Sequence, residues 1–236
     1  MRLDKYLCET QGVSRSIAGT MVKRGRISIN GVRAKSASIK IKPESDAIQL
    51  DGNAIQGETG FRYFMMHKPE GVVCANQDSE HPIVFDLMQD TKNLKTLHTV
   101  GRLDMDTTGL LFITDDGQWS HGMTSPKHEH TKTYRAWLAE PLAHDAENAC
   151  KEGLMLNGET HITKPALLER VSDTEVLLTI TEGRYHQVKR MFAALGNRVV
   201  KLHREAFSNI QLDNKLLPGE HRHLTPKEKK SLGIRH

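Results

Sequence analysis

Residues 100–111 read VGRLDMDTTGLL, and this stretch places an arginine and two carboxylates in a loop bounded by glycines. The loop, residues 100–106 (the Asp104 loop), leads directly into the apolar segment 110–114, which has the composition of a buried strand. Loops held on rigid strands carry a large share of protein chemistry. A carboxylate beside an arginine is held in its charged form. An isolated pair of Arg102 and Asp104 can equally tie down a surface loop, so the surrounding motifs decide between the two interpretations.

Two further motifs flank this stretch along the chain. MHKPEG occupies residues 66–71 and EGRYHQVKR occupies residues 182–190. Taken in order with GRLD at 101–104 and TGLL at 108–111, they resemble the first, catalytic and third motifs of the pseudouridine synthase family. An N-terminal region similar to an S4 RNA-binding domain completes a resemblance that spans nearly the whole chain. Several long motifs in the right order are more specific than any one of them alone.

Length and composition are typical of an ordinary globular protein. The chain has 236 residues, with 37% hydrophobic and 26% charged residues, which allows one large domain and one small one. No apolar run is long enough to span a bilayer, and the N-terminus lacks the apolar core of a signal peptide. Cys8, Cys74 and Cys150 are far apart and form no C-x-x-C pair. We therefore expect a cytoplasmic protein with reduced, buried cysteines and no contact with a membrane.

Positive charge is concentrated at the N-terminus. Residues 1–42 hold ten Lys or Arg and two acids, so this segment carries +8 of a chain whose net charge is +4. An excess of one sign on a small module predicts a polyanionic partner such as RNA. We expect backbone contacts from one N-terminal set and from a second basic strip after the third motif: Arg2, Arg15, Lys23, Arg24, Arg26, Arg33 and Lys35, then Arg198, Lys201 and Arg204.

The first 57 residues predict a small S4-like domain with two short helices and a small sheet. Ser14 is a candidate N-cap for the second helix, and Asn30-Gly31 is a strong hairpin signal. Alternating apolar residues at 27–29, 39–41 and 48–50 predict strands. Residues 51–60 contain three glycines and no apolar periodicity, so we predict a flexible linker at about 51–60.

The larger domain, residues 61–236, is predicted to be rich in strands with few helices, which makes the chain an α+β protein. Apolar periodicity predicts a helix over 186–195, and residues 143–152 also have a helical pattern. Thr225-Pro226-Lys227-Glu228 is a capping box for a C-terminal helix. The predicted strands are 63–66, 110–114, 132–138, 176–180, 199–202 and 210–212. The resemblance implies a bent, mostly antiparallel mixed sheet with flanking helices and an active cleft along its middle.

The activity that the resemblance implies is conversion of uridine to pseudouridine in RNA. The base must be detached, turned and rejoined to the ribose through carbon, which needs no redox step or group donor and hence no cofactor. A carboxylate near the ribose is required, and the motif matches Asp104. Asp104 would act either as a nucleophile on the sugar or as the base that removes a sugar proton. Asp106 is the competitor, although its Asp-Thr context favours a role in shaping the loop.

Further site residues follow from the motif positions. Lys189 matches the basic residue of the third motif and is expected to pair with Asp104, with Arg184 and Arg190 as alternatives that more readily contact phosphates. Tyr134, in Lys132-Thr133-Tyr134, resembles the family's active-site tyrosine, which can stack on a flipped base and relay a proton. Arg102 can fill the gap that the flipped base leaves. No metal site is expected, because the histidines at 121, 128 and 130 lack recognised ligand spacing.

Four functions remain open from the sequence, one preferred and three alternatives. The preferred one is a small-subunit (16S) ribosomal RNA pseudouridine synthase, acting as a monomer on ribosomal RNA that is either free or within a subunit assembly intermediate. Large-subunit (23S) RNA relatives share the S4 module and the GRLD motif, but residues 115–121 and 184–191 resemble the small-subunit branch more closely. A non-catalytic ribosome-associated RNA binder is the second alternative. A glycosidase is the third, although Asp104 and Asp106 on one loop are poorly placed to flank a sugar.

Overall fold

The computed structural model describes residues 1–43, 45–55 and 60–234. The chain divides into two compact units, Met1–Phe61 and Arg62–His236. Within the described ranges, no helix is both long and apolar enough to cross a bilayer. Each unit has its own apolar core.

The N-terminal unit consists of two helices and a four-stranded antiparallel sheet. Ser14 caps the second helix by accepting a hydrogen bond from the backbone N–H of Ile17, as the sequence predicts. Asn30 and Gly31 both have positive φ, which is the conformation that a two-residue hairpin turn requires. The elements are α1 (Leu3–Gln11), α2 (Arg15–Lys23), β1 (Ile27–Ile29), β2 (Val32–Arg33), β3 (Ile48–Leu50) and β4 (Asn53–Ala54), with the sheet order β2-β1-β3-β4.

Two local predictions for this unit are wrong. Residues 51–55 are not linker, because β4 pairs with β3 and the Ile55 carbonyl accepts a hydrogen bond from the buried Tyr6 hydroxyl at 2.9 Å. The remainder of the predicted linker, 56–59, lies outside the described residues. Residues 39–41 form only an isolated bridge, between Lys40 and Arg2, rather than a strand.

The larger unit is built on one nine-stranded mixed sheet, and the predicted α+β class is confirmed. The elements are β5 (Tyr63–Lys68), β6 (His98–Thr99), β7 (Thr107–Thr114), α3 (Gly117–Thr124), β8 (Lys132–Leu138), α4 (Ala146–Glu152), β9 (Leu167–Arg170), β10 (Glu175–Ile180), α5 (Gln187–Ala194), β11 (Val199–Phe207), β12 (Ile210–Gln211), β13 (His221–His223) and α6 (Pro226–Ser231). The strand order in the sheet is β13-β5-β7-β11-β8-β10-β9, with β12 paired to β11 and β6 paired to β7. Only the pairing of β7 with β11 is parallel among the strands described. Short 3-10 turns occupy Val84–Met88 and Leu94–Thr96.

The sheet separates two apolar layers, and β7 runs between them. Leu111 and Ile113 pack in one layer, while Leu110 and Phe112 pack in the other. Successive side chains of a strand point to opposite faces, so this apolar run fits a strand that is covered on both sides. Burial on both faces fixes the end of β7 from which the Asp104 loop departs.

Gly109 allows the unusual closeness of β7 and β11. It pairs with Arg204, and a Cβ added at Gly109 would lie only 2.3 Å from the Arg204 carbonyl oxygen. Its φ of +110° is also a conformation that residues with side chains rarely adopt. The glycine of the TGLL motif therefore has a structural reason, which is to bring the backbone of β11 beside the strand that carries the Asp104 loop.

Candidate active site

A cleft of about 720 Å³ opens beside the Asp104 loop, a volume typical of ligand pockets. Its walls come from the Asp104 loop, the start of β8, the end of β11 and the turn before α5. Tyr134 of β8 lies directly opposite Arg204 of β11, which in turn pairs with Gly109 of β7. Three neighbouring strands therefore form the floor of the cleft, and Asp104 lies on its wall.

Asp104 is held by two basic side chains from one short segment. Lys189 Nζ lies 3.2 Å from Oδ2 of Asp104, so the predicted contact is present. His186 Nε2 lies 3.4 Å from Oδ1, and sequence reasoning did not single out this residue. The same Lys189 Nζ lies 2.6 Å from Oδ1 of Asp106. Asp106 is thus a second partner of the lysine, a contact that the sequence analysis, which favoured a role for Asp106 in shaping the loop, did not predict.

The pKa of Asp106 reflects this contact. Burial opposes its charge, but the hydrogen bond and the positive charge of Lys189 outweigh burial, so the pKa of the Asp106 carboxyl lies below its usual value. The same two carboxylates raise the pKa of Lys189, against the effect of its own burial. Both Asp106 and Lys189 are therefore charged at neutral pH, and the ammonium holds the loop against α5.

The first motif supports the Asp104 loop from below. Lys68 is fully buried, and its ammonium donates to the backbone carbonyls of Pro69, Thr107 and Met105 at 2.9, 2.9 and 3.3 Å. Gly71 N–H donates to the Met105 carbonyl at 2.9 Å. Burial lowers the pKa of Lys68 from its ordinary value. These contacts give Lys68, Pro69 and Gly71 a structural role at the loop.

The turn before α5 is fixed by a network of hydrogen bonds. His186 adopts a left-handed conformation with φ of +47°, which aims its ring at Asp104. Buried Gln187 accepts from Arg184 N–H at 2.8 Å and donates to Glu182 at 2.8 Å. Tyr185 stacks on His186 with ring centroids 3.8 Å apart and remains 76% exposed. The turn is therefore already in place before any ligand arrives.

Arg184 and Arg190 already bind acceptors within the chain, and their predicted contact with phosphates stays a prediction. The guanidinium of Arg184 donates to the carbonyls of His161 and Ile162 at 2.8 and 2.6 Å. Arg190 donates to Glu159 at 2.9 Å and to the Asn157 carbonyl at 2.7 Å. Their donors bind acceptors of the chain itself, so these two residues hold the turn before α5 against the 157–162 segment.

Arg204 is not an exposed RNA-contact residue, contrary to the prediction. Only 2% of it is exposed, and Nε donates to the Leu110 carbonyl at 2.8 Å. Its guanidinium carbon lies 6.0 Å from the ring centre of Tyr134 and 5.2 Å from that of Phe207. Leu202 and Arg204 share the buried face of this strand, whereas His203 and Glu205 on the opposite face are partly exposed. The sequence misled because an arginine is rarely placed on a buried face, so its charge predicted exposure.

Tyr134 and Lys132 project from β8 into the same region. Tyr134 is 8% exposed and lines the cleft, as its resemblance to an active-site tyrosine leads us to expect. Lys132 Nζ donates to the His130 carbonyl at 3.0 Å and lies 5.1 Å from the Phe207 ring centre. Burial, with a smaller effect of the Arg204 charge, lowers the pKa of Lys132 to about 8, and Glu182 acts in the opposite direction.

The other predicted basic residues are exposed. Arg102 lines the cleft mouth, and Lys201 lies over Trp137 at 4.8 Å from the ring centre. In the N-terminal unit, Arg2 pairs with Asp4 and Arg26 with Asp51, so these two arginines already have acidic partners. The rest of the predicted set is also at the surface: Arg15, Lys23, Arg24, Arg33, Lys35 and Arg198. Among the residues that the structure describes, no group of three His, Cys, Asp or Glu could hold a metal ion.

Three residues of the cleft were missed as functional candidates, and two of them had a signal in the sequence. His186 lies inside the quoted third motif, and Lys132 lies two residues before Tyr134 in Lys-Thr-Tyr. Thr107 is 1% exposed and lines the cleft three residues after Asp104. Its polar role has no separate signal, because a threonine at the start of a strand is ordinary.

Known proteins are similar to this chain over nearly its whole length. A model of the RNA pseudouridylate synthase family matches residues 62–194, and a model of the S4 domain matches residues 1–48. Ribosomal small subunit pseudouridine synthase A of Vibrio cholerae is 52% identical over 232 residues, which cover 98% of the chain and 99% of that protein. The protein of the same name from Escherichia coli (strain K12) is 50% identical over 228 residues, 97% of the chain and 98% of that protein.

A solved structure is similar over the same extent. The crystal structure of a pseudouridylate synthase aligns with a TM-score of 0.71 and 47% identity, covering 98% of this chain and 99% of that one. The family resemblance inferred from the three motifs and the S4-like region is therefore confirmed. The chain belongs to the RNA pseudouridylate synthase family, with an S4 domain at its N-terminus.

Proposed function

We propose that this protein converts a uridine of small-subunit (16S) ribosomal RNA into pseudouridine, with Asp104 as the carboxylate that acts on the ribose. One observation carries the proposal: Asp104 lies on the wall of a ligand-sized cleft, between Lys189 and His186, with Tyr134 on the floor. The choice of RNA is supported by relatives about 50% identical over the full chain whose names specify the ribosomal small subunit.

The reaction assigns distinct tasks to these groups. Asp104 either attacks the anomeric carbon or removes a proton from the neighbouring ribose carbon, and in both cases it must be ionised and fixed. Lys189 and His186 supply that fixation from two sides. The cleft shields the detached base from water while it turns, and the Tyr134 ring offers a surface for stacking and a hydroxyl for proton transfer.

RNA binding is proposed to use two regions of the chain. The target base must leave its stack to reach Asp104, and Arg102 at the cleft mouth is placed to occupy the gap. The exposed basic residues of the S4 domain contact phosphates, which adds affinity without reading sequence. We propose that the protein acts as a monomer in the cytoplasm, on ribosomal RNA or a subunit assembly intermediate.

The test is pseudouridine mapping of ribosomal RNA from cells that lack the protein. Complementation with the wild type should restore one small-subunit site, and Asp104→Asn should not, although it should still fold and bind RNA. A site that returns with Asp104→Asn would contradict the assignment of Asp104.

The other outcomes separate the alternatives. Loss of a large-subunit site would keep the chemistry and change the substrate. If no site depends on the protein, the second alternative, a non-catalytic RNA binder, would replace the proposal. Hydrolysis would release a free base and change the mass of the RNA, whereas isomerisation does neither, so mass analysis of the product excludes or supports a glycosidase.

A further inference from the structure

The floor of the cleft contains a buried guanidinium with an unused donor. Arg204 is 2% exposed, and within the described part of the chain its Nη2 atom has no hydrogen-bond partner. Buried polar groups are nearly always paired, because leaving one unpaired is costly. A charged donor carries the larger penalty, so the position of Nη2 calls for a partner that arrives with the ligand.

A second unused polar atom lies in the same cleft. The Thr107 hydroxyl oxygen is buried and has no hydrogen-bond partner among the described residues. Thr107 pairs with Leu202 on β11, two residues before Arg204, and both Thr107 and Arg204 line the cleft. The two unpaired groups therefore belong to one patch at the parallel pair of β7 and β11.

A second cation lies beside this patch. Lys132 also lines the cleft, and its charge and that of Arg204 interact unfavourably, which contributes to the lowered pKa of Lys132. In the described residues, neither cation forms an ion pair with a carboxylate; Glu182 acts on Lys132 only through its longer-range charge. Two neighbouring cations without a counter-ion, Arg204 buried and Lys132 half-buried, are unfavourable in the empty site, and a negative charge in the cleft would reverse that.

We infer that Arg204 and Lys132 stabilise the negative charge that develops on the uracil ring when its bond to the ribose breaks. This inference rests on the proposed function. When the C1′–N1 bond breaks, its electron pair leaves with the ring, which becomes an anion with charge on its two carbonyl oxygens. The sugar meanwhile bonds to Asp104 or gives it a proton. The guanidinium and the ammonium donate to the carbonyl oxygens, where preorganised donors have their largest effect.

The second half of the reaction consumes this anion and restores the charge state of Asp104. The ring turns, and C5 forms the new bond to C1′ while the bond between C1′ and Asp104 breaks or, on the other route, Asp104 returns the proton to the ribose. The C5 proton then leaves to a base, and N1 is protonated. The anion exists only between the two bond changes, so the two cations favour that intermediate over the bound uridine. The Thr107 hydroxyl, which can donate or accept, suits an edge of the base that presents both a carbonyl and an N–H.

A phosphate of the RNA backbone is the competing partner for Arg204. Its position argues against this, because the guanidinium lies against the rings of Tyr134 and Phe207 and is almost wholly buried. Backbone phosphates are bulky and hydrated, and exposed residues such as Arg102 are better placed for them. The experiment distinguishes the two partners.

The first experiment compares leaving groups. Single-turnover cleavage of the N-glycosidic bond is measured with RNA that carries uridine or 5-fluorouridine at the target, for the wild type and Arg204→Gln in the full chain. Fluorine itself stabilises the ring anion. We therefore expect Arg204→Gln to slow cleavage of uridine about 100-fold and cleavage of 5-fluorouridine only about tenfold. Lys132→Met should show the same pattern with smaller losses.

Two results would overturn the inference. Equal losses on both substrates would mean that Arg204 acts through the structure of the cleft. A loss confined to RNA affinity, with the chemical step unchanged, would assign the guanidinium to a phosphate. Thermal unfolding checks each variant, and if Arg204→Gln does not fold, Arg204→Lys with Lys132→Met replaces it in the same comparison.

A second measurement needs no turnover. The nitro group makes 5-nitrouracil an anion at neutral pH, whereas uracil is neutral, so the two ligands differ mainly in charge. The wild type should bind 5-nitrouracil about tenfold more tightly, and Arg204→Gln should abolish that preference. Lys215→Gln, an exposed lysine on another part of the chain, is the control that keeps it. Equal binding of both ligands by the wild type contradicts the inference.

Failure of the proposed function can be distinguished from failure of this inference. If the wild type forms no pseudouridine in any ribosomal RNA, the proposed function is wrong. A wild type that forms pseudouridine, but whose Arg204 variants show no dependence on the leaving group, rejects this inference alone.

Discussion

At the residue scale, Lys189 is shared by two carboxylates, and this sharing determines how the site responds when the ammonium is removed. Lys189→Met leaves Asp104 and Asp106 to repel each other, which displaces Asp104 from its working position. We expect the single-turnover rate of pseudouridine formation to fall about 100-fold, with RNA affinity nearly unchanged.

Asp106→Asn in the Lys189→Met background provides the control. It removes the repulsion and should recover about tenfold of the lost rate. If the double variant is as slow as Lys189→Met, repulsion is not the cause, and the lysine acts on Asp104 in another way.

The lowered pKa of Lys132 predicts that the reaction rate depends on pH. Its pKa of about 8 means that the ammonium is charged below that pH and neutral above it. If the ammonium stabilises the leaving base, the rate of the wild type falls as the pH rises through about 8, and Lys132→Arg, which stays charged, loses this fall. A rate–pH profile that is identical for both proteins would contradict the prediction.

Unfolding does not explain such a fall. Because the folded pKa of Lys132 lies below that of an ordinary lysine, the unfolded chain binds more protons between about pH 8 and the ordinary lysine value. The contribution of this lysine to stability therefore rises with pH over that window. Thermal unfolding measured alongside the rate separates the two effects.

At the scale of elements, the contact between β7 and β11 depends on Gly109. A methyl group there would overlap the Arg204 backbone, and β7 is buried along nearly its whole length. Gly109→Ala should lower the free energy of unfolding by about 2–4 kcal/mol, measured by denaturant titration. Gly117→Ala is the matched control, because an added Cβ there meets nothing within 4 Å. A loss below 1 kcal/mol at Gly109 would mean that β11 can move away without cost.

The elements also show where sequence patterns succeed and where they fail. The capping box of α6 and the Asp116 cap of α3 were predictable, because caps are local hydrogen bonds between residues close in sequence. The strand β13 reads HRH and has no apolar alternation, so it could not be predicted. It forms because β5 offers it an open edge, which is a property of the assembled sheet.

The candidate site divides in the same way. Asp104, Tyr134 and Lys189 lie within motifs that could be recognised directly. The burial of Arg204 could not be, because it depends on β8 and β7 lying on either side of β11. The internal partners of Arg184 and Arg190 come from the 157–162 segment, more than twenty residues away in sequence. Charge alone predicted contact with RNA, and it gave no sign of the acceptors that the fold itself supplies.

At the scale of the whole molecule, the charge of the S4 domain should control the salt dependence of RNA binding. Arg24 and Lys35 are exposed, and no acidic partner of either is present among the described residues. Neutralising both to Gln should reduce the slope of log affinity against log salt by about 1.4. The control neutralises Lys227 and Lys230 of α6 and should leave the slope unchanged. Equal slopes for both pairs would show that RNA does not contact this part of the S4 domain.

Because Cys74 packs against the Asp104 loop, its reaction with an alkylating reagent reports opening of that loop. The Leu103 N–H donates to the sulfur of Cys74 at 3.4 Å, and burial, which outweighs that contact, raises the pKa of this thiol. Cys150 is fully buried in α4 with its pKa raised to about 11. If Cys74 is alkylated faster than Cys150, the rate at Cys74 measures local opening of the Asp104 loop. Equal alkylation rates would mean that both cysteines react only when the whole protein unfolds. An RNA that holds the loop closed would then slow the alkylation of Cys74 and leave the alkylation rate of Cys150 unchanged.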